Sequence, residues 1–99
     1  MAEITVTSAE IRRRAGELKR LNESFRRKAG ALEQTELLLN GMWDGQAQTA
    51  FHRTFLNDKR KMDTFYRAIN SYINALSDIA SKYESAERKN LMILSGGGK

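Results

Sequence analysis

Apolar residues recur every seven positions along two long stretches, and no proline interrupts either of them. Such a period keeps side chains on one face of an α-helix, and the missing proline is the residue that most reliably breaks one. In the first stretch Ile11, Leu18, Phe25, Leu32 and Leu39 carry the repeat. Ile4 sits one heptad earlier, and Ala15, Leu21 and Ala29 fill between. In the second, Phe51, Phe55, Asp58, Met62, Phe65, Ile69, Tyr72, Leu76, Ile79, Tyr83 and Ala86 alternate spacings of four and three. Only Asp58 breaks that apolar series, and a flanking rail of Tyr66, Ile73 and Ala80 widens it. Ala, Glu, Lys, Leu and Arg make up 46 of the 99 residues, the bias of coiled coils and long helices.

The ends of the two stretches carry helix punctuation. Thr7 followed by Glu10 has the spacing of a capping box, in which the hydroxyl accepts from an early helical N–H and the carboxylate reaches back. Asn40-Gly41 reads as a stop, because glycine tolerates a left-handed C′ residue. Asp44 reads as the cap of a second helix, with Gly45 in its first turn. The expected architecture is all-α: an antiparallel helical hairpin within a single domain, 1–94, with helix 1 at about 8–40, a turn at 41–45 and helix 2 at about 46–90. Residues 95–99 read as a disordered, glycine-rich tail.

The stripe and rail of helix 2 offer more apolar surface than one helix covers, and an exposed patch of that kind seeks a partner. The pattern therefore predicts a four-helix-bundle dimer. Its core and seam are expected to comprise Ile11, Leu18, Phe25, Leu32, Phe55, Met62, Phe65, Ile69, Tyr72, Leu76 and Ile79.

The chain excludes several kinds of chemistry. It has no cysteine and one histidine, so disulfides, thiol catalysis and thiolate metal sites are out, and a zinc-type cluster would have to rest on carboxylates. No nucleophile–base set or phosphate loop is present, so neither catalysis nor a cofactor is expected. The longest apolar run, Leu91-Met92-Ile93-Leu94, is far short of a membrane span. Met1-Ala2-Glu3-Ile4 lacks the charged-then-apolar form of a signal peptide, so any export is expected to bypass the general secretory route.

The one tryptophan stands in Met42-Trp43-Asp44-Gly45, between the two helices. As packing alone, it is a plug for the end of a hairpin. With the length, the layout and the lack of cysteine, however, the chain resembles the WXG-motif family, the small early-secretory-antigen-like proteins of type VII secretion systems. That family carries a second motif after the core of helix 2, a Tyr followed four residues later by an acid, which Tyr83 and Glu87 match. The resemblance implies a non-enzymatic protein, held in the cytoplasm and then exported as a folded dimer by a signal-peptide-independent route, or a partner or targeting chaperone for a larger effector. It implies a bipartite signal, Trp43 and Gly45 of one subunit lying near Tyr83 and Glu87 of the other. It also implies that the C-terminal tail docks on the membrane-anchored secretion ATPase, which makes Leu91, Met92, Ile93 and Leu94 the candidate docking segment. The alternative for those four residues is a continuation of helix 2 that caps the bundle end.

Residues 12–28 carry eight basic and two acidic side chains. Three readings stand: a solvated face, a match to an acidic relative such as the N-terminal helical domain of an effector, or phosphate binding. No aromatic platform lies beside the cations, which disfavours nucleic acid. Asp58 reads either as a solvent-exposed break or as a partner for a basic residue, and His52 as half-exposed and structural. Gly16 and Gly30 either admit another helix or face solvent. Against the secretion reading stands a cytoplasmic helical adaptor, or a basic nucleic-acid-associated protein, whose W-x-G is accidental.

Overall fold

The computed structural model describes residues 6–92. Ile4, Ile93, Leu94 and the expected tail at 95–99 lie outside the described residues. Two helices, α1 (Ser8–Met42) and α2 (Gln46–Met92), account for nearly all of the rest, and the fold is an all-α helical hairpin.

At the start of α1 the Glu10 N–H donates to Thr7 Oγ1 at 3.1 Å and the Ile11 N–H to the Thr7 carbonyl at 3.0 Å, so Thr7 is the N-cap. The reciprocal arm of the capping box is replaced. The Glu10 carboxylate turns to Arg13 and Arg14 instead, accepting from Arg14 Nε at 3.0 Å.

The turn is shorter than the punctuation suggested. Asn40-Gly41 does not stop α1, which continues to Met42, and only Trp43, Asp44 and Gly45 lie outside the helices. Gly45 has φ +107°, in the left-handed region that L side chains rarely adopt, so the reversal is placed where glycine stands. Its carbonyl accepts from the Thr49 N–H at 3.2 Å and from Thr49 Oγ1 at 3.3 Å. Gly45, rather than Asp44, therefore occupies the N-cap of α2.

Packing divides the chain into two compact units. In Arg20–Asn70, Ala29 is buried, and so are two polar residues, Asn22 and Glu36. The Phe25 ring meets Phe65 edge-on with centroids 5.3 Å apart. Phe55, Met62 and Ile69 are half-buried, as are His52, Lys59 and Tyr66. Asn22 Nδ2 donates to the Tyr66 carbonyl at 3.0 Å and to Asn70 Oδ1 at 3.1 Å, binding α1 to α2 through a polar seam.

The other unit joins α1 up to Lys19 with α2 from Ser71. Its buried apolar residues are Ile11, Ala15 and Ala80, the last at 0% exposure. Leu18, Ile73 and Leu76 are half-buried there.

The residues expected to form the bundle core and dimer seam divide into two sets in the single chain. Leu32, Phe65, Tyr72 and Ile79 are exposed in the chain by itself. On α2 the inward row is the rail of Tyr66, Ile73 and Ala80, extended toward the turn by Lys59 and His52, and supported by Phe55, Met62, Ile69 and Leu76. On α1 the inward row is Ser8, Ala15, Asn22, Ala29 and Glu36, all buried and spaced by seven. Small residues at the crossing let two helices approach closely, and bulky ones are turned to the flank.

Candidate functional site

Within residues 20–70 the Trp43 ring lies against Phe51, centroids 5.7 Å apart and planes 53° to one another. Trp43 is partly exposed, so it packs on the second turn of α2 at Phe51 and still presents a face to solvent. Next to it, Leu32, Leu39, Phe51 and Phe55, with Thr35 and Glu36, line an open apolar groove of about 210 Å³. Below that groove His52 Nδ1 stands 2.7 Å from Glu36 Oε2, and Glu36 is 5% exposed. His52 is half-exposed, as the sequence suggested, but it has a specific job: it is the hydrogen-bond partner of a buried carboxylate.

Exposed apolar side chains collect on one heptad row of α2. Phe51 and Phe65 belong to it in the unit of the turn, and Tyr72 and Ile79 in the other unit. Tyr72 is 60% exposed and Phe65 53%. Asp58 stands in the same row, exposed and with no hydrogen bond or ion pair among the described residues, so it is the solvent-facing break. Gly30 has open space around it.

In the unit holding the chain ends, Tyr83 and Glu87 part company. Tyr83 is 43% exposed. Glu87 turns to α1, where its Oε1 accepts from Ser8 Oγ at 2.8 Å and its Oε2 from the Ser8 N–H at 3.3 Å. One turn earlier, Glu84 takes a two-pronged ion pair from Arg12, Nε to Oε2 at 2.6 Å and NH2 to Oε1 at 2.9 Å. Arg12 NH2 also reaches Ser81 Oγ at 3.2 Å. Leu91 and Met92 continue α2 and are exposed.

The Arg12 hydrogen bond holds the Glu84 carboxyl below the usual carboxylate range, aided by the charges of Arg12 and Arg88 and opposed by desolvation. A depressed carboxyl stabilises the folded chain at any pH above its unfolded value and ceases to do so as pH falls through its folded value. Acidification below the ordinary glutamate range is therefore expected to loosen this unit. In Arg12→Leu that acid-induced step in a pH-jump circular-dichroism titration should be weaker, and an unchanged step would deny the pair any part in it.

The basic segment is partly spent inside the chain. Arg12 pairs with Glu84, Arg13 with Glu10, and Arg14 with Glu10 and Glu17, while Arg26 lies over the Tyr66 ring at 5.3 Å. Four of the eight cations at 12–28 are thus engaged, and the phosphate-binding reading weakens accordingly. Among the described residues no group of His, Asp and Glu is placed to hold a metal ion, and no helix is long and apolar enough to cross a membrane.

The sequence singled out Trp43, Gly45, Tyr83 and Glu87 as candidates, but not the contacts of Ser8, Arg12 and Glu84 or the Glu36–His52 pair. The seven-residue spacing from Ser8 to Glu36 was the available signal, obscured because its members are small or polar.

Among curated proteins none matches the sequence significantly. Among solved structures, the secreted protein EsxB from Bacillus anthracis strain Sterne, selenomethionine-labelled, is 29% identical with a TM-score of 0.77, the match covering 88% of this chain and 99% of that one. Its wild-type form in space group P21 is 30% identical with a TM-score of 0.76, covering 85% of this chain and 97% of that one. The family model described as proteins of 100 residues with WXG matches residues 3–88. A W-x-G reversal between two long helices, a Tyr-x-x-x-Glu at the far end of the second, and a match of that extent have one conclusion: the chain belongs to the WXG100 family of small helical proteins associated with type VII secretion.

Proposed function

We propose that this protein is a non-catalytic traveller of a type VII secretion system, made in the cytoplasm and exported folded, paired with a second helical hairpin. The partner is a second copy or the WXG-like N-terminal helical domain of a larger effector, which the chain then escorts. The observation that carries the reading is the exposure of apolar side chains on α2, Phe51 and Phe65 in one unit and Tyr72 and Ile79 in the other, which call for cover by another helical hairpin. The similarity to EsxB, a secreted protein, supports the destination.

In this reading Trp43 and Gly45 shape one half of the export signal, and Tyr83 and Glu87 supply the other. Leu91 and Met92, with Ile93 and Leu94 beyond the described residues, form the segment that docks on the secretion ATPase. Leu91 and Met92 are apolar and exposed at the end of α2, which suits that role.

Tyr83→Ala tests the signal. Tyr83 is 43% exposed, so its truncation costs the fold less than loss of a buried ring would, and the variant should keep its helicity and its association. Export from a bacterium carrying a type VII system is expected to fall at least about tenfold, the size of effect that loss of one aromatic anchor has on a recognition event. Normal export of a folded Tyr83→Ala protein would leave the cytoplasmic adaptor as the better reading.

A further inference from the structure

We infer that Glu87 works as a clasp between the helices rather than as a group the receptor reads directly, and that Ser8 and Arg12 are positioning residues of the export signal. The inference rests on the proposed role of Tyr83 and Glu87 as that signal. Its basis is the geometry of one end of the molecule. A helix begins with N–H groups that have no intrahelical acceptor, and these carry the positive end of the helix dipole. The Ser8 N–H is the first of them, and it donates to Glu87, as does the Ser8 hydroxyl, Ser8 itself being buried. Both carboxylate oxygens are thereby committed to α1. Glu87 is exposed, as Tyr83 is, but its two oxygens already accept from Ser8, so its carboxylate is oriented toward α1, while among the described residues the Tyr83 ring makes no such bond to α1.

Arg12 extends the clasp by one turn. It holds Glu84 with two hydrogen bonds and Ser81 with a third. Ser8 and Arg12 are four apart on α1, and Glu87 and Glu84 three apart on α2, so each pair lies on one helix face. Together they anchor the turn of α2 that carries Tyr83. This gives the acid of the Tyr-x-x-x-Glu spacing a physical purpose. Four residues past the tyrosine, the side chain is still close to it on the helix, but it is aimed at the neighbouring helix.

The test uses the full chain and two readouts, amide hydrogen exchange across 83–92 and export from a bacterium with a type VII system. Ser8→Ala removes the shorter bond and keeps the helix. It is expected to speed exchange at 83–92 about tenfold, as loss of a hydrogen bond to a charged group should. Export should fall to the level of Glu87→Ala, and the double variant should fall no further. Ser8→Thr, which retains the hydroxyl, should export normally. Ala29→Gly supplies the control, a comparable loss of melting temperature in the other unit with export intact.

If Glu87→Ala blocks export while Ser8→Ala exports normally, Glu87 is read directly and the clasp is refuted, with the proposed signal untouched. Equal export defects in Ala29→Gly and Ser8→Ala would also refute it, since general destabilisation would then explain both. Should neither Tyr83→Ala nor Glu87→Ala impair export, the proposed signal is what fails. The clasp is then decided by exchange alone, upheld by faster exchange in Ser8→Ala and refuted by unchanged exchange.

Discussion

Tyr72→Glu is expected to leave the helices formed and to weaken association at least about 100-fold, because it places a carboxylate among the exposed apolar residues proposed to meet a partner. Tyr72 makes the argument clean. It is the most exposed aromatic of the α2 row and has no hydrogen bond among the described residues, so the isolated chain barely notices its loss. In an interface the same side chain would be covered, and covering an aromatic ring is worth about 2 kcal/mol. Substituting glutamate forfeits that and adds the cost of burying a charge, which together exceed about 3 kcal/mol per site. In a homodimer the change is made twice. Gln34→Glu makes the same change of charge on an exposed position of α1 and should do nothing. Sedimentation equilibrium over nanomolar to micromolar concentrations measures the difference directly. Melting gives a second view: the native chain should melt higher as concentration rises, and Tyr72→Glu should not. Equal association constants for Tyr72→Glu and Gln34→Glu would remove the partner surface from the account.

The physical reason to expect a partner is the thinness of the chain's own core. Among the described residues Ile11, Ala15, Ala29 and Ala80 are the buried apolar ones, and three of the four are alanines. A hairpin so built has little apolar burial to set against the entropy of ordering its backbone. The bulky residues that would normally do that work, Phe65, Tyr72 and Ile79 among them, are held outward.

That division explains what was legible in the sequence. Period and punctuation located both helices, because heptads, a missing proline and Thr7 act locally. They did not say which row faces inward. Hydrophobicity ranks Phe51, Phe65 and Tyr72 above His52, Lys59 and Tyr66, so the bulky row reads as core, yet the chain turns the rail inward. Close helix approach selects for small side chains, and the seam tolerates Asn22 and Glu36 because Asn70, the Tyr66 carbonyl and His52 meet them. Such partners lie on the other helix and leave no trace in local spacing. The same holds for Glu87. Its distance from Tyr83 is visible in the sequence, but its bond to Ser8 spans 79 residues. At the turn, Asn40-Gly41 read as the stop and Gly45 as part of the second helix, whereas among the described residues the left-handed backbone falls at Gly45, after Trp43.

The buried pair beside the turn provides a second large effect, with a sign that depends on how the pair is removed. His52→Ala leaves Glu36 facing a gap, at 5% exposure, with its Oε1 already lacking a partner among the described residues. An orphaned buried carboxylate costs about 2–3 kcal/mol, which in a chain of this size lowers the melting temperature by about 10 °C or more. Deleting both polar groups is a different experiment. Glu36→Leu combined with His52→Leu leaves nothing to satisfy and fills the space with apolar atoms beside Leu32, Leu39, Phe51 and Phe55, which line the same groove as Glu36. Replacement of a buried polar pair by well-packed apolar residues is commonly neutral or stabilising, so the double variant should melt near the native temperature or above it. Both comparisons must be made at one protein concentration, since association also moves the melting temperature. If His52→Ala melts with the native chain, Glu36 is better hydrated than its burial implies. If the double variant melts as low as the single one, the pair contributes through packing rather than through satisfied charge. Only a deep single loss with a double recovery assigns the stability of this end to the hydrogen bond between Glu36 and His52.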